Sequence, residues 1–381
     1  MQADIVPLIV GLLILLSSLV SLKIGISVAI IEILLGVIAG NMGLAPEEWM
    51  VFLASFGGII LTFLAGAEID AGLLKKRFKE SLLIGIFSFM TPFAGASLYA
   101  YYVAGWGLPA SLIAGIALSE TSIAVVYSVL LETNLLKTTV GNMLMAATFI
   151  TNMGTAVVLS VLFAKPTLYT AVFIAVSIAV IFLATKFSHY VFDNAGLKNK
   201  VIEPEIKYIF LLLLVFIYFA NLGEGHAILP AFVLGLLMSK HFTETSGTRT
   251  VKNRLRTVAF ALITPVFFIV VGMKVSLPLI WSSIWLFAAF FVTKQSAKLI
   301  GVYFIAKKYI PDGHVYTTLL LSTGLTFGLI ALIFGLRSGF IDEVQYSILT
   351  GVLIASAVIP TFIAQKWFVP VHTEDIVEEE D

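Results

Sequence analysis

The chain is a succession of apolar runs, each about as long as a lipid bilayer is thick. A membrane-crossing helix needs about 20 apolar residues, and on that criterion about thirteen segments stand out. They are residues 5–21, 26–43, 51–69, 82–103, 108–131, 139–164, 168–192, 206–221, 226–241, 257–275, 279–305, 314–336 and 344–366. Hydrocarbon offers no partner to a backbone N–H or C=O, so runs of this length must satisfy themselves as helices. The expected fold class is an all-α membrane protein. Composition agrees: 59% of the 381 residues are hydrophobic and 12% charged, where a soluble domain carries about 25% charged residues. The mean hydropathy is +1.03.

The first segment follows Asp4 rather than a basic residue and lacks a small-x-small cleavage site, so it is expected to be a retained helix. The tail from Glu374 to Asp381 is acidic and expected to be disordered. A net charge of zero argues against a nucleic-acid partner. The chain has no cysteine, which excludes disulfides and thiol chemistry.

Basic residues test the segment count. With the N-terminus outside, the inside loops hold Lys23, the Lys75-Lys76-Arg77-Phe78-Lys79 loop, Lys137, Lys186, Arg254, Arg256, Lys307, Lys308 and Lys366, among others. The outside loops hold Lys165, Lys274 and Arg337. Positive charge gathers on the cytoplasmic side of membrane proteins, which puts the N-terminus out and the C-terminus in.

Polar residues interrupt two of the runs. Segment five contains Leu118-Ser119-Glu120-Thr121, and segment twelve contains Leu321-Ser322-Thr323-Gly324. Each is followed by an apolar stretch. The two segments are seven apart and cross in opposite senses, as the corresponding broken helices of inverted repeats do. On segment six, Thr148, Asn152 and Thr155 fall at i, i+4 and i+7 and share a face, with Thr151 beside it. Hydroxyls, amide oxygens and freed carbonyls there could replace the water around an alkali cation. Packing is the alternative reading, since such side chains also bond neighbouring helices for about 0.6 kcal/mol apiece.

Ionisable residues sharpen the choice. Lys294 and Lys298 share a face of segment eleven near mid-span; lysines at a helix end can snorkel, but mid-span ones need acceptors. Glu120 occupies an interruption near mid-membrane, whereas Glu32 and Glu68 lie toward cytoplasmic ends and could reach the headgroups. Glu224 and His226 fall in a short outside loop. The five histidines show no metal-ligand spacing, and no nucleophile triad or nucleotide loop is present, so an enzyme is not expected. Intramembrane ionisable groups mark ion or proton paths, and the chain reads as a transporter with no cofactor.

At these residues the chain resembles the monovalent cation:proton antiporters, in particular the Kef/Nap-type branch. The marks are Glu32-Ile-Leu-Leu-Gly36, Leu61-Thr-Phe-Leu-Ala-Gly-Ala-Glu68-Ile-Asp70, Thr121-Ser-Ile-Ala-Val-Val126, Thr151-Asn-Met-Gly154 and Lys298-Leu-Ile-Gly301, spread over nearly the whole chain. The resemblance implies thirteen helices in the cell membrane and a homodimer embedded in lipid. Segments one to three (1–70) and eight to ten would form a dimerisation domain. Segments four to six (82–164) and eleven to thirteen (279–305 and 314–366) would form a mobile core, with 168–192 as linker. Na+, K+ or Li+ would exchange for H+ by alternating access. The Thr121 carbonyl, Ser122 and Thr148 would be cation ligands beside position 152, with Lys298 as the helix-eleven lysine, Lys294 as the fallback, and Glu68 as a further coupling candidate.

One position departs from the family pattern. The second residue of the segment-six pair is an Asp in the family and Asn152 here, preceded by Thr151. Asn has the shape of a protonated Asp without its charge. Either this is a transport-dead or proton-locked form, or Glu120 supplies the acid. With Asn152 in place, the lysine is expected to be neutral or to turn toward Glu120. The competing functions are a gated cation efflux pathway or sensor without obligatory exchange, and a symporter of similar architecture.

Overall fold

The computed structural model describes residues 5–68, 77–163, 168–192, 202–222, 227–239 and 251–370. Asp70, Lys75, Lys76, Lys165, Glu224, His226 and the acidic tail lie outside the described residues. Helices and their connections make up the described residues, with no strand among them. Ten helical spans among them are long and apolar enough to cross a membrane by length and composition. Two shorter apolar helices, Val28–Asn41 and Ile228–Met238, fill two more of the expected segments. The remaining one, Ile284–Tyr309, has its apolar run diluted by Lys294 and Lys298.

The chain divides into two compact units. The first holds α1 (Val6–Ile24), α2 (Val28–Asn41), α4 (Phe78–Tyr102), α5 (Leu108–Ser119), α6 (Ile123–Glu132) and α7 (Thr139–Phe163). It also holds most of α12 (Thr264–Met273), then α13 (Leu277–Ser282), α14 (Ile284–Tyr309), α15 (His314–Leu321), α16 (Thr326–Arg337) and α17 (Glu343–Trp367). Local sequence sets the ends. Gly25 takes the left-handed conformation at φ 72° and bonds back to the Ser21 carbonyl, stopping α1. Asp342 and Gln345 form a reciprocal capping box that starts α17.

Within this unit α4 packs against α5, α7 and α14. Its approach to α14 is close because Gly301 has no side chain. A Cβ there would run into Thr91 Oγ1 and stand 2.7 Å from the Phe87 carbonyl. Small residues let membrane helices approach in this way. Burial separates the spans by role. The span containing α5 and α6 is 94% buried, whereas α1 is 11% buried and turns Leu8, Leu12, Leu15 and Leu19 outward. Outward leucines suit contact with lipid; a buried span with polar groups calls for a different explanation.

The second unit holds α3 (Glu48–Glu68), α8 (Leu168–Phe192), α9 (Pro204–Leu222), α10 (Ile228–Met238) and α11 (Val251–Val258). Helix α8 packs on α9 and α10. The ring of Phe56 meets that of Phe210 edge-on at 5.1 Å. Arg254 pairs with Glu203 at 2.7 Å and with Glu205 at 3.1 Å. A π-helical turn, Ala259–Ile263, joins α11 to α12. Pro265 follows it and cannot donate a backbone hydrogen bond, which accounts for the irregular turn.

Candidate ion site

Two helices in the first unit are broken, and the breaks touch. The first runs α5, then Glu120 (φ −62°, ψ 154°), Thr121 and Ser122 (φ −73°, ψ 110°), then α6. The second runs α15, then Ser322 to Leu325, with Leu325 at φ −156° and ψ −70°, then α16. The sequence explains the interruptions, because Ser and Thr side chains compete with helical backbone bonds. Ser119 Oγ donates to the Ile116 carbonyl at 2.8 Å, and Thr323 Oγ1 donates to the Leu320 carbonyl at 2.8 Å. Ser122 Oγ accepts from the Val125 N–H at 3.4 Å and caps α6.

The breaks are bonded to one another. Thr121 Oγ1 donates to the Leu321 carbonyl at 2.8 Å, and the Ser122 N–H donates to the Thr323 carbonyl at 3.2 Å. Glu120 adds three more links. Its carboxylate accepts from the Leu325 N–H at 2.7 Å, Thr326 Oγ1 at 3.0 Å and the Phe327 N–H at 3.3 Å. These groups open α16, whose N-terminal end favours an anion. Glu120 is fully buried, and every one of these donors suits a carboxylate.

Helix α7 brings the third wall. Asn152 Nδ2 donates to the Thr121 carbonyl at 2.7 Å and to the Thr148 carbonyl at 2.8 Å. Asn152 Oδ1 is buried with no hydrogen-bond partner. Thr148, Thr151, Asn152 and Thr155 are all fully buried, so the expected polar stripe faces inward. Their hydroxyls bond back along the helix: Thr148 to the Leu144 carbonyl, Thr151 to that of Thr148, and Thr155 to that of Thr151. The Thr121 and Thr148 carbonyl oxygens thus meet at the Asn152 amide, whose own oxygen is unpartnered. Oxygen donors of this kind suit hard cations.

Both lysines of α14 are fully buried beside the breaks. Lys298 Nζ donates to Ser88 Oγ, the Ser119 carbonyl and Thr121 Oγ1, each at 2.9 Å, so its three protons are all placed. Lys294 Nζ donates to Ser356 Oγ at 2.8 Å and lies against Gly324, where any Cβ would collide with it. The hydrogen bonds to the Glu120 carboxylate come from the second break, and neither lysine is among its donors. The expected turn of a lysine toward Glu120 is therefore not adopted, because backbone donors at the start of α16 already hold the carboxylate.

Of the residues singled out in the sequence, Glu120, Thr121, Ser122, Thr148, Thr151, Asn152, Lys294 and Lys298 come together in one unit. Glu68 ends α3, and its side chain lies outside the described residues. Sequence reasoning missed Ser88 and Ser356, the lysine acceptors. Serines are common in membrane helices as packing residues, and nothing in the sequence marks these two.

Similar proteins agree with the fold. A protein of Methanocaldococcus jannaschii called probable Na(+)/H(+) antiporter 3 is 27% identical over 351 residues, 88% of each chain. An Na(+)/H(+) antiporter of Enterococcus hirae is 26% identical over 371 residues, 93% of this chain and 94% of that one. The solved structure of the sodium proton antiporter MjNhaP1 from M. jannaschii matches at a TM-score of 0.71, covering 96% of this chain and all of the other, at 15% identity. The pattern of the sodium/hydrogen exchanger transmembrane family matches residues 10–368, and the chain belongs to that family.

Proposed function

We propose that this chain is a secondary active antiporter of the Kef/Nap type. It exchanges a monovalent cation, Na+ first and K+ or Li+ as alternatives, for protons across the cell membrane. The reading rests most on one observation: two helix breaks bond to each other beside an inward-facing Asn152 whose Oδ1 has no partner. Non-helical backbone is tolerated at membrane depth where protein or a wet cavity covers it. The names of the relatives, Na(+)/H(+) antiporters, support the same reading.

In this proposal the N-terminus is outside and the C-terminus is cytoplasmic. Residues 82–164, 279–305 and 314–366 form a mobile core, and residues 1–70 and 206–275 form the dimerisation domain of a homodimer. The Thr121 and Thr148 carbonyls and position 152 receive the cation, with Ser122 and Thr151 alongside. Asn152 holds the site as a protonated acid would. Its amide N–H groups sit on the two carbonyls that a cation would otherwise use. Asn152→Asp should therefore create cation binding. A ligand that binds the folded form raises its unfolding temperature by mass action. Added Na+ should raise the unfolding temperature of the Asn152→Asp protein in detergent at alkaline pH and leave that of the unaltered chain in place. Equal response of the two, or none in the Asp form, would count against the assignment.

A further inference from the structure

A second pair of acids, Glu132 exposed and Glu32 buried, lies at the far end of α6 from the ion site. Glu132 is the last residue of α6. Its carboxylate accepts from Ser27 Oγ at 3.0 Å and the Val28 N–H at 3.2 Å, at the start of α2. Glu32, one turn into α2, is buried and accepts from Ser17 Oγ at 3.5 Å, while its Oε2 has no partner. Glu32 stands one turn after Val28, whose N–H holds the Glu132 carboxylate, so both acids lie at the first turns of α2. A charge buried without hydrogen-bond partners is costly, and Glu32 Oε2 has none while Glu132 reaches the surface. Around them the packed helices offer Ser17 on α1, Gln365 on α17, which accepts the Ser27 N–H at 3.0 Å, and Tyr316 on α15, bonded to Thr133 at 3.3 Å. Lys23 and Lys366 are exposed, and Tyr127 is buried on α6.

A further feature points from this pair toward the site. Ser128 stands one turn before Glu132 on the same face of α6. Its Oγ is fully buried and has no hydrogen-bond partner. On α17, Thr361 stands one turn before Gln365, and its Oγ1 is likewise buried and unpartnered. Unfilled hydroxyls between an acid pair and a polar break are a place for water or a passing proton. Helix α6 has 10 residues, so the acids and the break are about 15 Å apart. Glu120 contrasts with Glu32, since three donors fix its carboxylate and one distant hydroxyl touches the other.

We propose that Glu32 and Glu132 form a proton-handling pair on the cytoplasmic side, and that Ser128 continues the path along α6 to the break at Glu120 to Ser122. The pair takes up a proton from the cytoplasm and hands it on as one of the exchanged ions. The orientation rests on the antiporter reading; the sharing of a proton does not. Two measurements on the full chain separate them. Infrared spectroscopy of the purified protein should show a carboxylic-acid C=O band that Glu32→Gln or Glu132→Gln removes and the other substitution shifts. A band untouched by both would overturn the pair whether or not the protein transports. In liposomes containing whichever of the unaltered and Asn152→Asp chains exchanges, each Gln substitution should move the cytoplasmic-pH dependence by about one unit. Ser128→Ala should slow exchange about tenfold, with the half-saturating Na+ concentration unchanged. Superimposable pH profiles would overturn the relay, and absence of exchange in both chains would count against the antiporter reading.

Discussion

Glu120 and Asn152 divide the polar work of the site between them. Glu120 joins one break to the other through the first donors of α16, and Asn152 ties α7 to the first break through the Thr121 carbonyl. A buried donor left without its acceptor destabilises by about 1–3 kcal/mol. Glu120→Gln keeps the size of the side chain but brings an N–H₂ against N–H and O–H donors. It should therefore lower the unfolding temperature clearly, by an amount corresponding to about 2 kcal/mol. Thermal unfolding in detergent checks this, and an unchanged midpoint would show that the Glu120 bonds do not hold the breaks together. Lys298 needs no such rescue, because its three acceptors are neutral and already in place.

At the scale of elements, both breaks are legible in the sequence. Ser119-Glu120-Thr121 and Ser322-Thr323-Gly324 put backbone-competing groups inside apolar runs. The inward face of Thr148, Asn152 and Thr155 is equally legible, since helical periodicity alone places them together. The partners of Glu120 are not. They lie about 200 residues further along the chain, and a bond across that separation leaves no local pattern. The short helix α13 ahead of α14 was also hidden, because its apolar residues read as one run with the next helix. The contact of α14 with α4 gives a test at this scale. Gly301→Val would put its Cβ into Thr91 and against the Phe87 carbonyl, and overpacking of this kind destabilises by about 1–3 kcal/mol. The variant should unfold at lower temperature in detergent. If Gly301→Val matches the parent in stability and exchange, the close approach has no structural role.

For the whole molecule the absence of cysteine is useful. A single introduced thiol can be labelled without background. Lys137 and Ser338 are both exposed, and the proposed orientation puts them on opposite sides of the membrane. In intact cells a membrane-impermeant maleimide should label Ser338→Cys and spare Lys137→Cys until the membrane is opened. The reverse pattern would invert the topology, and with it the cytoplasmic assignment of Glu32 and Glu132.

The central claim is that the crossing of the breaks beside position 152 is where a dehydrated alkali ion trades places with a proton. The most direct test places the unaltered chain and Asn152→Asp in separate liposomes, imposes a proton gradient and adds Na+ or K+. Collapse of the gradient on cation addition in the Asp protein alone is the predicted result. Collapse in neither protein, or a cation current without movement of protons, would contradict it.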